Sequence, residues 1–127
     1  KSYKPGTIML SGNTDCYQPL EKKYELTRKL LEVLLEFRNP VGIITKNALI
    51  ERDLDILKQM ADHHLVHVMF SITTLDESLR RLLEPRTASA EMKFAAMKKL
   101  TDAGIPVGVM TAPIIPGLNH HEIPELL

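Results

Sequence analysis

Four short polar stretches carry most of the side chains able to do chemistry. They are Gly12-Asn-Thr-Asp15, Lys46-Asn47, Ser71-Ile-Thr-Thr74, and Thr111-Ala112 with the Pro-Gly loop that runs on to Asn119. Each directly follows a short apolar run. Together they offer acceptors, hydroxyls and one cation. Asp15 suits a ligand amine, the reading preferred here, over a cap on the following loop. Asn13, Thr14 and Ser71 are residue types that turns and caps also favour, because their side chains bond local backbone. Lys46, at a run's end, is placed either to meet a ligand or to snorkel to water. Arg86 stands just ahead of a helix start, where the dipole does not favour a cation. It therefore calls for a carboxylate partner: a ligand's, or that of Glu84 or Glu91.

Five histidines raise the question of a metal. His63-His64 sits at a helix end, His67 within an apolar run, and His120-His121 in a loop. None shows HxH or HExxH spacing, and adjacent histidines point in different directions, so no metal site is assigned. The single cysteine, Cys16, excludes an internal disulfide and gives a reducing, cytoplasmic setting as the default.

The elements that must position these residues alternate in type. Thr7-Ile-Met-Leu-Ser11, Val41-Gly-Ile-Ile-Thr45, Val66-His-Val-Met-Phe-Ser71 and Val107-Gly-Val-Met-Thr111 read as strands. Between them, apolar residues recur at helical spacing. Glu21 to Arg38 predicts one helix burying Tyr24, Leu30, Leu31, Leu34 and Phe37, stopped by Asn39-Pro40. A second helix is expected from about Arg52 to Asp62, burying Leu54, Leu57 and Ala61. Asp76 caps a short helix that buries Leu79, Leu82 and Leu83. A longer helix starts near Thr87 or Ser89 and ends at Ala103, with Gly104 left-handed beyond it and Pro106 as a stop. His121 to Leu127 starts a last helix.

Strands separated by helices imply right-handed crossovers and a parallel sheet. The strands are nearly all apolar, which predicts cover on both faces. The pattern fits a βα barrel or a doubly wound sheet. In either, ligands bind at the carboxyl ends of the strands, where the polar stretches lie. A chain of 127 residues is too short for an intact barrel. It opens with Lys1 and closes inside a helical turn, so it reads as a piece of a longer polypeptide, and within residues 1–127 no second domain is expected.

Composition narrows the function classes. The chain is 44% hydrophobic and 25% charged, enough to build a core. Sixteen basic residues balance sixteen acidic ones, which gives no general pull toward nucleic acid or anionic membrane. No apolar run is long enough to span a bilayer. The aromatics are three Tyr and three Phe, a thin supply for stacking on bases.

Six segments in order resemble one group of radical S-adenosylmethionine (SAM) proteins. They are Gly12-Asn-Thr-Asp-Cys-Tyr-Gln-Pro-Leu-Glu21, Leu26-Thr-Arg28, Ile44-Thr-Lys46, Ser71-Ile-Thr-Thr-Leu-Asp76, Leu83-Glu-Pro-Arg86 and Pro106-Val-Gly-Val-Met-Thr-Ala-Pro-Ile-Ile-Pro-Gly-Leu-Asn119. The group is related to spore photoproduct lyase and is described as DNA-repair-photolyase-like. The resemblance implies an α/β fold, a partial (β/α)6 TIM-like barrel, with residues 1–127 as the second to fifth βα units. It implies a 4Fe-4S cluster held by a CxxxCxxC loop, and reductive cleavage of SAM to a 5′-deoxyadenosyl radical that takes hydrogen from a substrate. DNA-lesion repair is implied only by the name of the relatives. CxxxCxxC is missing here, and one cysteine cannot hold such a cluster. The cluster loop would precede Lys1, and the chain alone would be inactive.

The resemblance also implies SAM contacts. Asn13, Thr14 and Asp15 would accept from the methionine ammonium. Lys46 and Ser71 would approach the carboxylate and ribose. Arg86 would pair with the same carboxylate. Val109, Met110, Thr111 and Ala112 would meet adenine. Cys16 is offset from the hydrogen-donor cysteine of spore photoproduct lyase, and that role is not carried over.

Two readings compete. One is a βα-barrel aldolase or lyase with Lys46 as Schiff-base nucleophile, which borohydride trapping would reveal. The other is an inert fragment that associates with itself through open sheet edges, against which a clean monomer by light scattering would count.

Overall fold

Residues 3–126 are described by the computed structural model. Four strands form one parallel sheet in the order β1-β2-β3-β4: β1 (Ile8–Leu10), β2 (Val41–Thr45), β3 (Val66–Ser71) and β4 (Val107–Met110). Ile8 pairs with Val41, Val41 with Val66, and Val68 with Val107. This is the parallel α/β arrangement expected from the alternating pattern, and it matches the partial barrel that the resemblance implies.

One sheet face is covered by helices. Val41, Ile43, Val66, Val68 and Phe70 pack in the main core with Leu31, Leu57, Met60, Ala96 and Leu100. The other face is open, contrary to the expectation of cover on both sides. His67 is exposed there, and Met9 is 54% exposed. Gly42 and Gly108 leave room on that face for the thioethers of Met9 and Met69, which any Cβ would displace. β1 is an edge strand, with Ile8 also partly exposed.

The helix expected over Glu21 to Arg38 is broken. α1 (Glu21–Tyr24) and α2 (Leu26–Glu36) meet at Glu25, which takes a left-handed conformation at φ 51°. The Glu21 carboxylate turns back to accept the Thr27 N–H at 3.1 Å and so serves the open start of α2. Leu31 and Leu34 are buried as expected. Tyr24, Leu30 and Phe37 are not: they lie with Leu26 and Val33 among the exposed apolar side chains. The sheet accepts only one stripe of α2, and among the described residues no strand lies beyond β1 to receive the rest.

The next crossover begins with a 3-10 turn, Ala48–Asp53, capped by Asn47, and continues as α3 (Leu54–Asp62). Its buried stripe is Ile56, Leu57 and Met60, with Leu54 and Ala61 half-buried. Asp76 caps α4 (Glu77–Leu83) as expected, accepting from the N–H groups of Ser78 and Leu79. Leu79 is half-buried, but the expected burial of Leu82 and Leu83 does not hold. Leu82 is 79% exposed, and Arg80 turns inward instead. Its guanidinium donates to the carbonyls of Glu84 and Thr87, which fixes the rotation of the helix. α5 (Ala90–Asp102) is capped by Ser89 and ends before Gly104 at φ 81°. After β4, a 3-10 turn (His120–Glu122) leads into α6 (Ile123–Leu126). Lys1 and Leu127 lie outside the described residues.

Candidate functional site

The four strand ends do converge, and the tips are tied to one another by hydrogen bonds. Asp15 is the main tie between β1 and β2. Its carboxylate accepts from the Tyr17 N–H at 2.9 Å, the Thr45 hydroxyl at 2.9 and 3.0 Å, and the Lys46 N–H at 2.7 Å. Asp15 is therefore largely spent on framework, not held open for an amine. Asn13 and Thr14 stay exposed beside it. Asn13 lines a cleft of about 240 Å³ with Ser11, Asp15, Thr45 and Lys46. Thr14 faces a larger apolar hollow of about 580 Å³, with Cys16, Leu20, Tyr24 and Leu26 in its wall.

Lys46 emerges at the end of β2, with its side chain 32% exposed, and pairs with Glu84. Arg86 pairs with neither of the carboxylates expected for it, Glu84 and Glu91. It lines a second cleft of about 240 Å³ with Asp15, Tyr17, Lys46 and Asn47. Two cations thus border one cavity at the strand ends, a setting suited to an anionic ligand group.

Ser71 is only 4% exposed. Its hydroxyl donates to the Ala112 carbonyl at 3.4 Å, and Thr73 donates to the same oxygen at 3.1 Å. The Ser71 hydroxyl is thus turned into the β3–β4 seam. Val109, Thr111 and Ala112 are half-buried along that seam. Asn119 locks the following loop: its amide donates to the Thr73 carbonyl at 2.6 Å and the Pro113 carbonyl at 2.9 Å. Glu122 closes the same corner by accepting from the Thr74 hydroxyl and the Leu75 N–H.

Two participants escaped the sequence reading. Lys93, on α5, is 1% exposed, and its ammonium donates to the Ser71 carbonyl at 3.0 Å. Burial pushes it down to about 8, opposed chiefly by the charge of Glu84. Glu84, on the chain leaving α4, pairs with Lys46, and its charge also acts on Lys93. Its Oε1 takes Lys46, while its Oε2 is buried without a hydrogen-bond partner. One signal was available: Lys93, Ala96 and Leu100 lie on one helical stripe, so a lysine stands where an apolar residue belongs.

Among the described residues, no group of three or more His, Cys, Asp or Glu is placed to hold a metal ion. Cys16 is free, and burial pushes its thiol up to about 11, away from the thiolate that binds metal. This donor set does not fit an iron–sulfur cluster. It does offer anion-binding cations and hydroxyl-lined clefts at the strand ends. No described helix is long and apolar enough to cross a membrane.

The comparisons with known proteins agree with this geometry. The fold is similar to spore photoproduct lyase complexed with dinucleoside spore photoproduct, at a TM-score of 0.71 and 20% identity, over 91% of this chain and 32% of that one. A double mutant of that lyase, with bound AdoMet and dinucleoside spore photoproduct, superposes at 0.69, over 87% of this chain and 31% of that one. In sequence, the chain is 34% identical over 116 residues to the uncharacterized protein ORF301 of Acidianus two-tailed virus. It is 34% identical over 113 residues to the uncharacterized protein MJ0683 of Methanocaldococcus jannaschii. It covers 91% and 89% of itself in these matches, but only 37% and 42% of the relatives. The family description "Radical SAM superfamily" matches residues 1–127, and the chain belongs to that superfamily.

Proposed function

We propose that this chain is the SAM-binding wall of a radical SAM enzyme, the second to fifth βα units of its barrel. The observation that carries the reading is the cleft where Lys46 and Arg86 stand together beside Asp15, at the carboxyl ends of parallel strands. In this reading Lys46 and Arg86 meet the SAM carboxylate. Asn13 and Thr14, left exposed by the closed Asp15 network, face its amino group. The half-buried Val109, Thr111 and Ala112 form the side that receives adenine. Ser71 and Asp15 hold the tips in place and touch ligand less than the resemblance implies. The ligands of the 4Fe-4S cluster lie outside the described residues. With SAM bound, such a cluster supplies the radical that takes hydrogen from a substrate.

The aldolase reading has less support. Lys46 is ion-paired, and Lys93, the lysine with lowered basicity, is too buried to meet a carbonyl. The test is made on the full-length protein, reconstituted anaerobically with iron and sulfide. With SAM and dithionite, it is expected to yield 5′-deoxyadenosine. A full-length protein that holds no cluster and makes none of that product rejects the proposal. A dinucleoside lesion, the ligand in the spore photoproduct lyase structure, is the first substrate to assay. By itself the chain is expected to be inactive.

A further inference from the structure

The turn between α4 and α5 carries Arg86, and it is fastened to the end of β2 on both sides of that residue. Before Arg86, the Glu84 carboxylate pairs with the Lys46 ammonium. After it, the Ala88 N–H donates to the Lys46 carbonyl at 3.2 Å. Within the turn, the Glu84 carbonyl accepts from the Thr87 N–H at 3.1 Å and the Thr87 hydroxyl at 2.9 Å. Arg80 reaches the same turn from α4. Its Nη1 donates to the Glu84 carbonyl at 3.1 Å and to the Thr87 carbonyl at 2.8 Å. Its Nε and Nη2 hold the two carboxylate oxygens of Glu77, each at 2.7 Å. Arg80 is only 8% exposed. A guanidinium suits this place because its five donors lie in one rigid plane. Arg86, by contrast, is exposed, pairs with no carboxylate among the described residues, and lines the cleft with Lys46. One arginine thus spends its donors on the turn that presents the other.

We propose that Arg80 is a positioning residue for the anion cleft: by bridging the Glu84 and Thr87 carbonyls it fixes the turn that sets Arg86 beside Lys46. Arg80 touches no ligand. Pro85 fixes one dihedral of the turn, and Arg80 fixes the two carbonyls on either side of Arg86. A planar fork recognises a carboxylate well only when its own backbone is held. Without the bridge the turn would sample other conformations, and a ligand would have to order it on binding.

This inference rests on the reading that Lys46 and Arg86 meet the SAM carboxylate. It is tested by equilibrium dialysis of the cluster-loaded full-length protein against SAM and against decarboxylated SAM. Arg80→Met is expected to weaken SAM binding about tenfold, the scale of one charge-assisted hydrogen bond. Decarboxylated SAM should be little affected. In an Arg86→Met background the same substitution should weaken SAM no further, because a residue that acts through Arg86 then has nothing left to position. Hydrogen exchange reads the turn directly: the Thr87 and Ala88 amides should exchange faster in Arg80→Met than in the wild type. Equal weakening of both ligands, additive losses in the double variant, or unchanged exchange at these amides overturns the proposal. If Arg80→Met does not fold, Arg80→Lys decides. Lysine keeps the cation but not the fork that serves Glu77 and both carbonyls, so SAM should still weaken selectively, about threefold. Unchanged SAM binding, or equal loss of both ligands, overturns the proposal in that case. Arg86→Met alone separates the two levels. If it leaves SAM binding unchanged, the carboxylate reading itself has failed. If it weakens SAM selectively while Arg80→Met does not, only the role of Arg80 falls.

Discussion

Two ion clusters, one around Asp53 and one around Glu84, differ in how fully they are satisfied. Behind α1 and α2, Asp53 is completely buried and both its oxygens are filled. Oδ1 accepts from Arg52 Nε at 2.8 Å and Arg28 at 3.3 Å, and Oδ2 from Arg52 at 2.9 Å and the Tyr17 hydroxyl at 3.1 Å. Arg52 also reaches Glu21, which itself serves the start of α2. At the strand ends, the cluster of Lys46, Glu84 and Lys93 leaves one carboxylate oxygen without a partner and borders an open cleft. A closed network joins elements. The other leaves Lys46, paired through a single carboxylate oxygen, at the edge of a cavity it shares with Arg86.

The sharpest way to break this comparison is Asp53→Ala. It removes the fully buried acceptor shared by Arg52, Arg28 and the Tyr17 hydroxyl, though Arg52 keeps Glu21 and Arg28 keeps Asp55, and is expected to cost about 3–5 kcal/mol in urea unfolding. A loss below about 1 kcal/mol would show that the closed cluster is not framework. The open cluster should behave in the opposite way, because Lys93 is held at about 8 by burial. Below that pH both folded and unfolded chains carry the proton. Between about 8 and the ordinary lysine value, the unfolded chain binds more protons, so stability rises with pH. The gain should be on the order of 3 kcal/mol and absent in Lys93→Met, which should be no less stable than wild type at neutral pH. A wild-type profile that falls through this window, or one that Lys93→Met leaves unchanged, removes the distinction. The smallest effect is expected for Tyr17→Phe. It removes one of four donors to Asp53, and calorimetry should find about 1 kcal/mol lost.

Much of this architecture was legible locally. Short β-branched runs ending in polar residues marked β1 to β4 and the face that carries the site. Asp76, Ser89 and Gly104 marked helix ends, because caps and left-handed positions are decided within a few residues of chain. The inward faces of helices were less legible. Leu82 looked buried by spacing, yet Arg80 turns inward because the Glu84 and Thr87 carbonyls await it there. Phe37 and Leu30 had helical spacing but no neighbour to pack against.

The amino-acid sequence by itself determined the order of strands and helices, the polar strand ends and the place of Lys46 at one of them, since all of these follow from local spacing and residue type; that Arg86 joins Lys46 at one cleft is a tertiary result. Only the tertiary structure decided which polar groups remain available. Asp15 is consumed by Thr45 and Lys46, thirty or more positions away, while Glu84 is met by Lys46 across 38 positions and shares the interior with Lys93. The physical reason is that hydrogen-bond satisfaction and charge sharing depend on distances across the fold, which local pattern does not contain.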